Sequence, residues 1–127
     1  METISIPGIA EPASRVCLGT WAIGGWMWGG ADDDASVKTI RAAYDQGVTI
    51  YDTAPVYGFG HSEEVVGRAV APFRDEVLIA TKCGLGWGAD ERPFRDSRPD
   101  SIRREVDAAL RRLGTDRIDL YQVHWPD

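Results

Sequence analysis

Residues 48–70 read VTIYDTAPVYGFGHSEEVVGRAV. The segment opens on a short β-branched run, Val48 to Asp52, which predicts a strand. A glycine-punctuated turn follows, and then Ser62 stands as a plausible helix N-cap with Glu63 and Glu64 in the first turn, where the helix dipole favours negative charge. An ionisable Asp52 therefore sits where an apolar strand ends, with Tyr57 just beyond it. The strand-then-helix rhythm extends in both directions. Upstream, RVCLGT (Arg15 to Thr20) predicts a strand, and DDASVKTIRAAYDQG a helix capped near Asp33 or Asp34, with Val37, Ile40 and Tyr44 on one face and Gly47 as its stop. Downstream, EVLIATK (Glu76 to Lys82) is a third strand, followed by a long Gly/Trp-rich loop. A helix then starts at about Pro99, carries Ile102, Val106, Ala109, Leu110 and Leu113 at helical spacing, and closes at Gly114. RIDLYQVH (Arg117 to His124) is a fourth strand.

Strands alternating with helices imply a parallel sheet with right-handed crossovers. A doubly wound sheet would carry a phosphate-binding G-x-G-x-x-G after its first strand, and GTWAIGGWMWGG does not match it. GFGHSE fails as well, because Glu63 stands where the third glycine should be, so its glycines read as a turn approaching a helix. A (β/α)₈ barrel instead gathers reactive side chains at the C-terminal ends of its strands, and Asp52, Lys82 and His124 fall at three such ends. Strand parity agrees: Asp52 shares a face with Ile50 and Val48, Lys82 with Ala80 and Leu78, and His124 with Gln122, Leu120 and Ile118. If these mainly apolar rows face the barrel interior, the three ionisable groups converge at its rim, where burial demands that they pair.

Composition narrows the class. The chain has 127 residues, 43% hydrophobic and 27% charged, which suits one domain over residues 1–127 without an internal boundary. A formal net charge of −6 argues against a nucleic-acid or anionic-membrane surface, and the arginines of RREVDAALRR read as a solvated helix face. No apolar run is long enough to span a membrane, and METISIPGIAEP lacks the basic and apolar regions of a secretory signal, so the expected location is cytoplasmic. Cys17 and Cys83 lack metal-type spacing; no metal site is expected, and both read as buried structural thiols in a reduced compartment.

Asp52, Tyr57, Lys82 and His124 make chemical sense as one constellation. A phenol is too weak an acid to donate readily at neutral pH, and a neighbouring ammonium favours the phenolate. Lys82 can supply that charge, Asp52 can hold Lys82 protonated, and His124 can hydrogen-bond a carbonyl oxygen, polarising it toward attack at carbon. Each residue alone has a plainer reading: Asp52 as a turn residue, Tyr57 as packing, Lys82 as a snorkelling surface lysine, His124 as a satisfied structural histidine. Their joint occurrence at successive strand ends carries the functional reading.

These residues resemble a known family, the aldo-keto reductases. DTAPVYG lies close to that family's Asp-x-Ala-x-x-Tyr-Gly signature, LIATKCG resembles the strand bearing its lysine, and RIDLYQVHWPD the strand bearing its histidine. The resemblance runs from CLGTW onward. It implies a (β/α)₈ TIM-barrel fold and reduction of a small aldehyde or ketone to an alcohol by hydride transfer from NADPH, with NADH the lesser expectation. It also implies Tyr57 as general acid, Lys82 as the residue that makes it acidic, Asp52 as the partner of Lys82, and His124 as the group orienting the carbonyl. Gly19, Thr20, Trp21 and Asp52 are implied cofactor contacts. Trp21, Trp87 and Trp125 lie on segments expected to line the substrate mouth, or to pack the loops. A complete barrel needs about 250 residues and eight strands; only the first four β/α units are legible, and the family's remaining cofactor-binding segments follow strands five to eight. The exposed half-barrel edges invite self-association. Two other readings stay open: a nicotinamide-binding regulatory subunit without catalysis, and an inert fragment.

Overall fold

The computed structural model describes residues 1–127. An N-terminal hairpin comes first, its strands β1 (Thr3–Ile4) and β2 (Ala13–Ser14) antiparallel. The sequence reading missed this hairpin because its strands are only two residues long. It closes the N-terminal end of the main sheet through a reciprocal pair: the Ser14 N–H donates to Thr49 Oγ1 and the Thr49 N–H to Ser14 Oγ, both at 2.9 Å.

The main sheet contains β3 (Cys17–Gly19), β4 (Ile50–Asp52), β5 (Leu78–Cys83) and, after intervening elements, β8 (Leu120–Val123). All pairings are parallel and the spatial order follows the chain order. Strand order never reverses, so there is no switch point of the doubly wound kind; consecutive parallel strands with crossover helices are the first half of a (β/α)₈ barrel. The crossovers are α1 (Asp33–Asp45), α2 (His61–Val70) and α3 (Pro99–Leu113). Between β5 and α3, the segment expected as plain loop folds into a hairpin of β6 (Leu85–Trp87) and β7 (Pro93–Arg95).

The core lies between sheet and helices. Val37 and Ile40 of α1, Val65, Val66, Ala69 and Val70 of α2, and Leu113 of α3 pack on Tyr51 and Ile79, the helix-facing residues of β4 and β5. Val48 joins this cluster because it precedes β4 and does not follow the strand's parity. The buried Tyr51 hydroxyl donates to Val48 O at 3.0 Å, and burial pushes its pKa up to about 12. Helices α2 and α3 meet where Gly67 faces the Leu113 backbone, leaving no room for a Cβ.

Two helix readings shift. Asp32 caps α1, its Oδ1 accepting from the Ala35 N–H at 2.9 Å, one residue before the expected cap. Ser62 does not cap α2: Gly60, with φ 101°, occupies that position, and Ser62 lies within the first turn with its hydroxyl turned to the strands. Of the arginines read as a solvated face, Arg112 turns inward, its Nε 2.6 Å from Oε2 of the fully buried Glu63. Glu63 Oε1 accepts from Thr81 Oγ1 at 2.6 Å, so one carboxylate joins α2, α3 and β5. Cys83 is buried, whereas Cys17, expected to be buried, is exposed on the edge strand.

Candidate active site

Register brings the strand-end residues together. Gly19 pairs with Asp52 and Asp52 with Ala80, so Lys82 projects from the same face one step beyond Asp52. Its ammonium lies 2.8 Å from both Asp52 carboxylate oxygens, 2.8 Å from Thr53 O and 3.4 Å from Tyr57 Oη. An ammonium has three N–H donors and no acceptor. Asp52, Thr53 and Tyr57 therefore use all three, and Tyr57 Oη is the acceptor in its contact. The phenol's own proton is left to point elsewhere.

Tyr57 also lines an apolar cavity of about 340 Å³, together with Trp21, Trp26, Met27, Val56, Leu85, Pro93, His124 and Trp125. Trp21 stacks on Tyr57 with ring planes inclined by 30° and centroids 6.2 Å apart, and His124 presents edge to face at 5.9 Å. Main-chain geometry sets the histidine: its N–H donates to Cys83 O at 2.9 Å, just past β8. Burial, and then the Lys82 charge, lower the His124 pKa below its ordinary value, with Asp52 opposing. The ring is thus neutral at neutral pH, with one N–H to donate.

All four constellation residues meet at one rim. The implied cofactor contacts divide. Gly19 has open space where a Cβ would stand, Trp21 is 45% exposed, and the Asp52 side chain keeps part of its surface free. Thr20 is fully buried, with its hydroxyl donating to Asp52 O at 2.9 Å, so its side chain serves the rim from behind. Trp21 and Trp125 line the cavity, whereas Trp87 packs on Phe59 at 5.5 Å, outside it.

The sequence reading missed Trp26 and Met27, which lack any periodic signal. It also missed Thr53, which contributes a carbonyl that no side-chain pattern announces. Behind Tyr57, the Gly24 and Gly58 backbones pack directly together: a Cβ on Gly24 would lie 2.6 Å from Tyr57 O and 2.7 Å from Gly58 N.

A profile described as "Aldo/keto reductase family" matches residues 15–127. The chain belongs to the aldo/keto reductase family. Over its whole length this aldo/keto reductase chain is 56% identical to Aldo-keto reductase YhdN of Bacillus subtilis (strain 168), covering 39% of that protein. It is 44% identical to the NADH-specific methylglyoxal reductase of Escherichia coli (strain K12), over 88% of this chain and 38% of the relative. Among solved structures, the glycerol dehydrogenase AKR11B4 from Gluconobacter oxydans superposes with a TM-score of 0.90 at 61% identity, over 98% of this chain and 39% of that one. An aldo-keto reductase from Klebsiella pneumoniae in complex with NADPH superposes at 0.69 with 30% identity, over 91% and 37% of the two chains. This aldo/keto reductase chain thus spans roughly two fifths of the length of the relatives it matches.

Proposed function

We propose that this chain carries the proton-delivering half of a nicotinamide-dependent reductase that converts a small aldehyde or ketone to an alcohol. The observation that supports it best is the Lys82 ammonium, shared among the Asp52 carboxylate, the Thr53 carbonyl and the Tyr57 hydroxyl. Asp52 pairs with Lys82 through both carboxylate oxygens in a site where the lysine side chain is only 13% exposed. A carbonyl oxygen seated between Tyr57 Oη and His124 accepts a hydrogen bond from each, which draws electron density off its carbon.

When bound, the nicotinamide ring supplies a hydride to that carbon. As the C=O bond becomes a C–O single bond, negative charge grows on oxygen and Tyr57 transfers its proton there. The phenolate left behind faces the Lys82 ammonium, and the product is the alcohol. Trp21, Trp26, Met27 and Trp125 give the substrate an apolar wall beside the reacting atoms.

Gly19, Trp21 and Asp52 are the residues of this chain that would hold the donor, since they leave open surface on the rim. Thr20 acts through Asp52. NADPH is the first choice of donor; the NADH-specific relative at 44% identity sets the competing expectation. The test is Tyr57→Phe, assayed with NADPH and NADH against a small aldehyde. Loss of a general acid lowers kcat by about 10²–10⁴-fold; an unchanged rate sinks the mechanism.

A further inference from the structure

Three hydroxyls that touch no reacting atom meet directly behind Asp52. Thr20, Thr53 and Ser62 are each fully buried, although two directly follow strands and the third lies in the first turn of a helix. Ser62 Oγ lies 2.8 Å from Thr20 Oγ1 and 3.0 Å from Thr53 Oγ1, and donates to Thr20 O at 3.0 Å. Thr20 Oγ1 in turn donates to Asp52 O at 2.9 Å, where the Thr20 N–H also arrives at 3.0 Å. Three hydroxyl protons serve four contacts: with Thr53 donating to Ser62 and Thr20 to Asp52 O, the Ser62 proton is shared between Thr20 O and Thr20 Oγ1. A helix cap would satisfy the N–H groups of α2; Ser62 instead bonds to groups at the ends of β3 and β4.

The grip falls on one dipeptide. Asp52 O is held by Thr20, the Thr53 N–H donates to Ala80 O at 2.9 Å, and Thr53 Oγ1 is held by Ser62. What that dipeptide presents to the rim is the Asp52 carboxylate and the Thr53 carbonyl, both 2.8 Å from Lys82 Nζ. Two acceptors fixed in place determine where the third N–H of a tetrahedral ammonium points, and here it points at Tyr57 Oη.

We infer that Ser62 is a positioning residue, the centre of a buried hydroxyl relay with Thr20 and Thr53 that fixes the Asp52–Thr53 unit and so aims the Lys82 ammonium at Tyr57. The inference rests on the proposed roles of Lys82 and Tyr57. It goes further by giving the main-chain carbonyl of Thr53 and three non-contacting hydroxyls a share in the chemistry.

The sequence offers a clean probe, because Lys38 and Lys82 are its two lysines and Lys38 is exposed. In protein labelled with ¹⁵N-lysine, hydrogen exchange of the two side-chain ammonium signals is followed by NMR at low temperature and mildly acidic pH. Ser62→Ala and Thr53→Val are expected to speed Lys82 exchange by about fivefold, the factor set by one hydrogen bond of ordinary strength. Thr53→Ser, which keeps the hydroxyl, is expected to match the parent, with Lys38 unchanged throughout. Lys82 exchange within about twofold of the parent in both disruptive variants overturns the inference. So does a Thr53→Ser variant as fast as Thr53→Val, which would make the effect one of packing. If Ser62→Ala does not fold, the Thr53 pair decides. Asp52→Asn separates the two failures: if it too leaves Lys82 exchange unchanged, the reading of the Lys82–Asp52 pair is itself wrong.

Discussion

Replacing Gly24 with alanine tests whether Tyr57, the proposed acid, is held by backbone packing. The new Cβ would stand 2.6 Å from Tyr57 O and 2.7 Å from Gly58 N, against 3.4–4 Å for ordinary contact. The obstructing atoms are main chain, and Gly58 has φ 67°, so neither side can yield by rotating a side chain. Tyr57 C lies nearer still, so the gap must open by at least about 0.8 Å, the difference between 3.4 and 2.6 Å. Overpacking on this scale costs about 1–3 kcal/mol of stability. Because the displaced residue is Tyr57 itself, a shift of about 1 Å is also expected to lower kcat about 10²-fold. Urea unfolding reads the first effect and steady-state reduction of a small aldehyde the second. Gly19→Ala is the control for stability, since a Cβ there meets nothing within 4 Å. A Gly24→Ala protein as stable and as fast as its parent would refute the argument that this contact is tight.

Arg112→Ala leaves the buried Glu63 carboxyl group without its guanidinium partner; a loss of about 3–5 kcal/mol in urea unfolding is expected, partly recovered by adding Glu63→Gln. His124 has its pKa depressed in the folded protein, so its neutral form contributes stability that is complete above the unfolded value of about 6.5 and lost as pH falls toward the lower folded value. Imidazole NMR should show His124 titrating below that value, and Lys82→Met should move its titration upward, because the Lys82 charge is one cause of the depression. A titration unmoved by Lys82→Met would contradict the assigned cause. The 127-residue chain alone has open edges at β3 and β8, with Val16 and Val123 each more than half exposed, and sedimentation should show concentration-dependent association. A strictly monomeric chain at high concentration would remove that expectation.

The strands and their order were legible because β-branched runs recur between helices, and the meeting of the candidate site residues was legible because ionisable residues terminate those runs in the same parity. What sequence hid was mostly direction. Serine near a helix start suggests a cap, and nothing local reveals that the Ser62 hydroxyl bonds to Thr20 and Thr53, 42 and 9 residues away. Arg112 looks like its exposed neighbours until Gly60 lets its stem pass toward Glu63. Cys17 looked like a buried thiol, but it lies on an edge strand whose inner face is uncovered. The β6–β7 hairpin was masked by glycine and proline, which weaken strand propensity although Phe94 packs across Gly86.

Because the sheet is laid down in chain order, each strand finds its partner already made. A polypeptide leaving the ribosome amino end first can add β4 to β3, β5 to β4 and β8 to β5 without waiting for distant sequence or rethreading. Asp52, Tyr57, Lys82 and His124 can therefore be assembled during synthesis, while later residues of a longer chain are still being translated. In such a chain the four side chains would meet at an open rim before any later segment could close over them, so that placing the proposed acid and completing the site around it would be two successive events in the life of the chain.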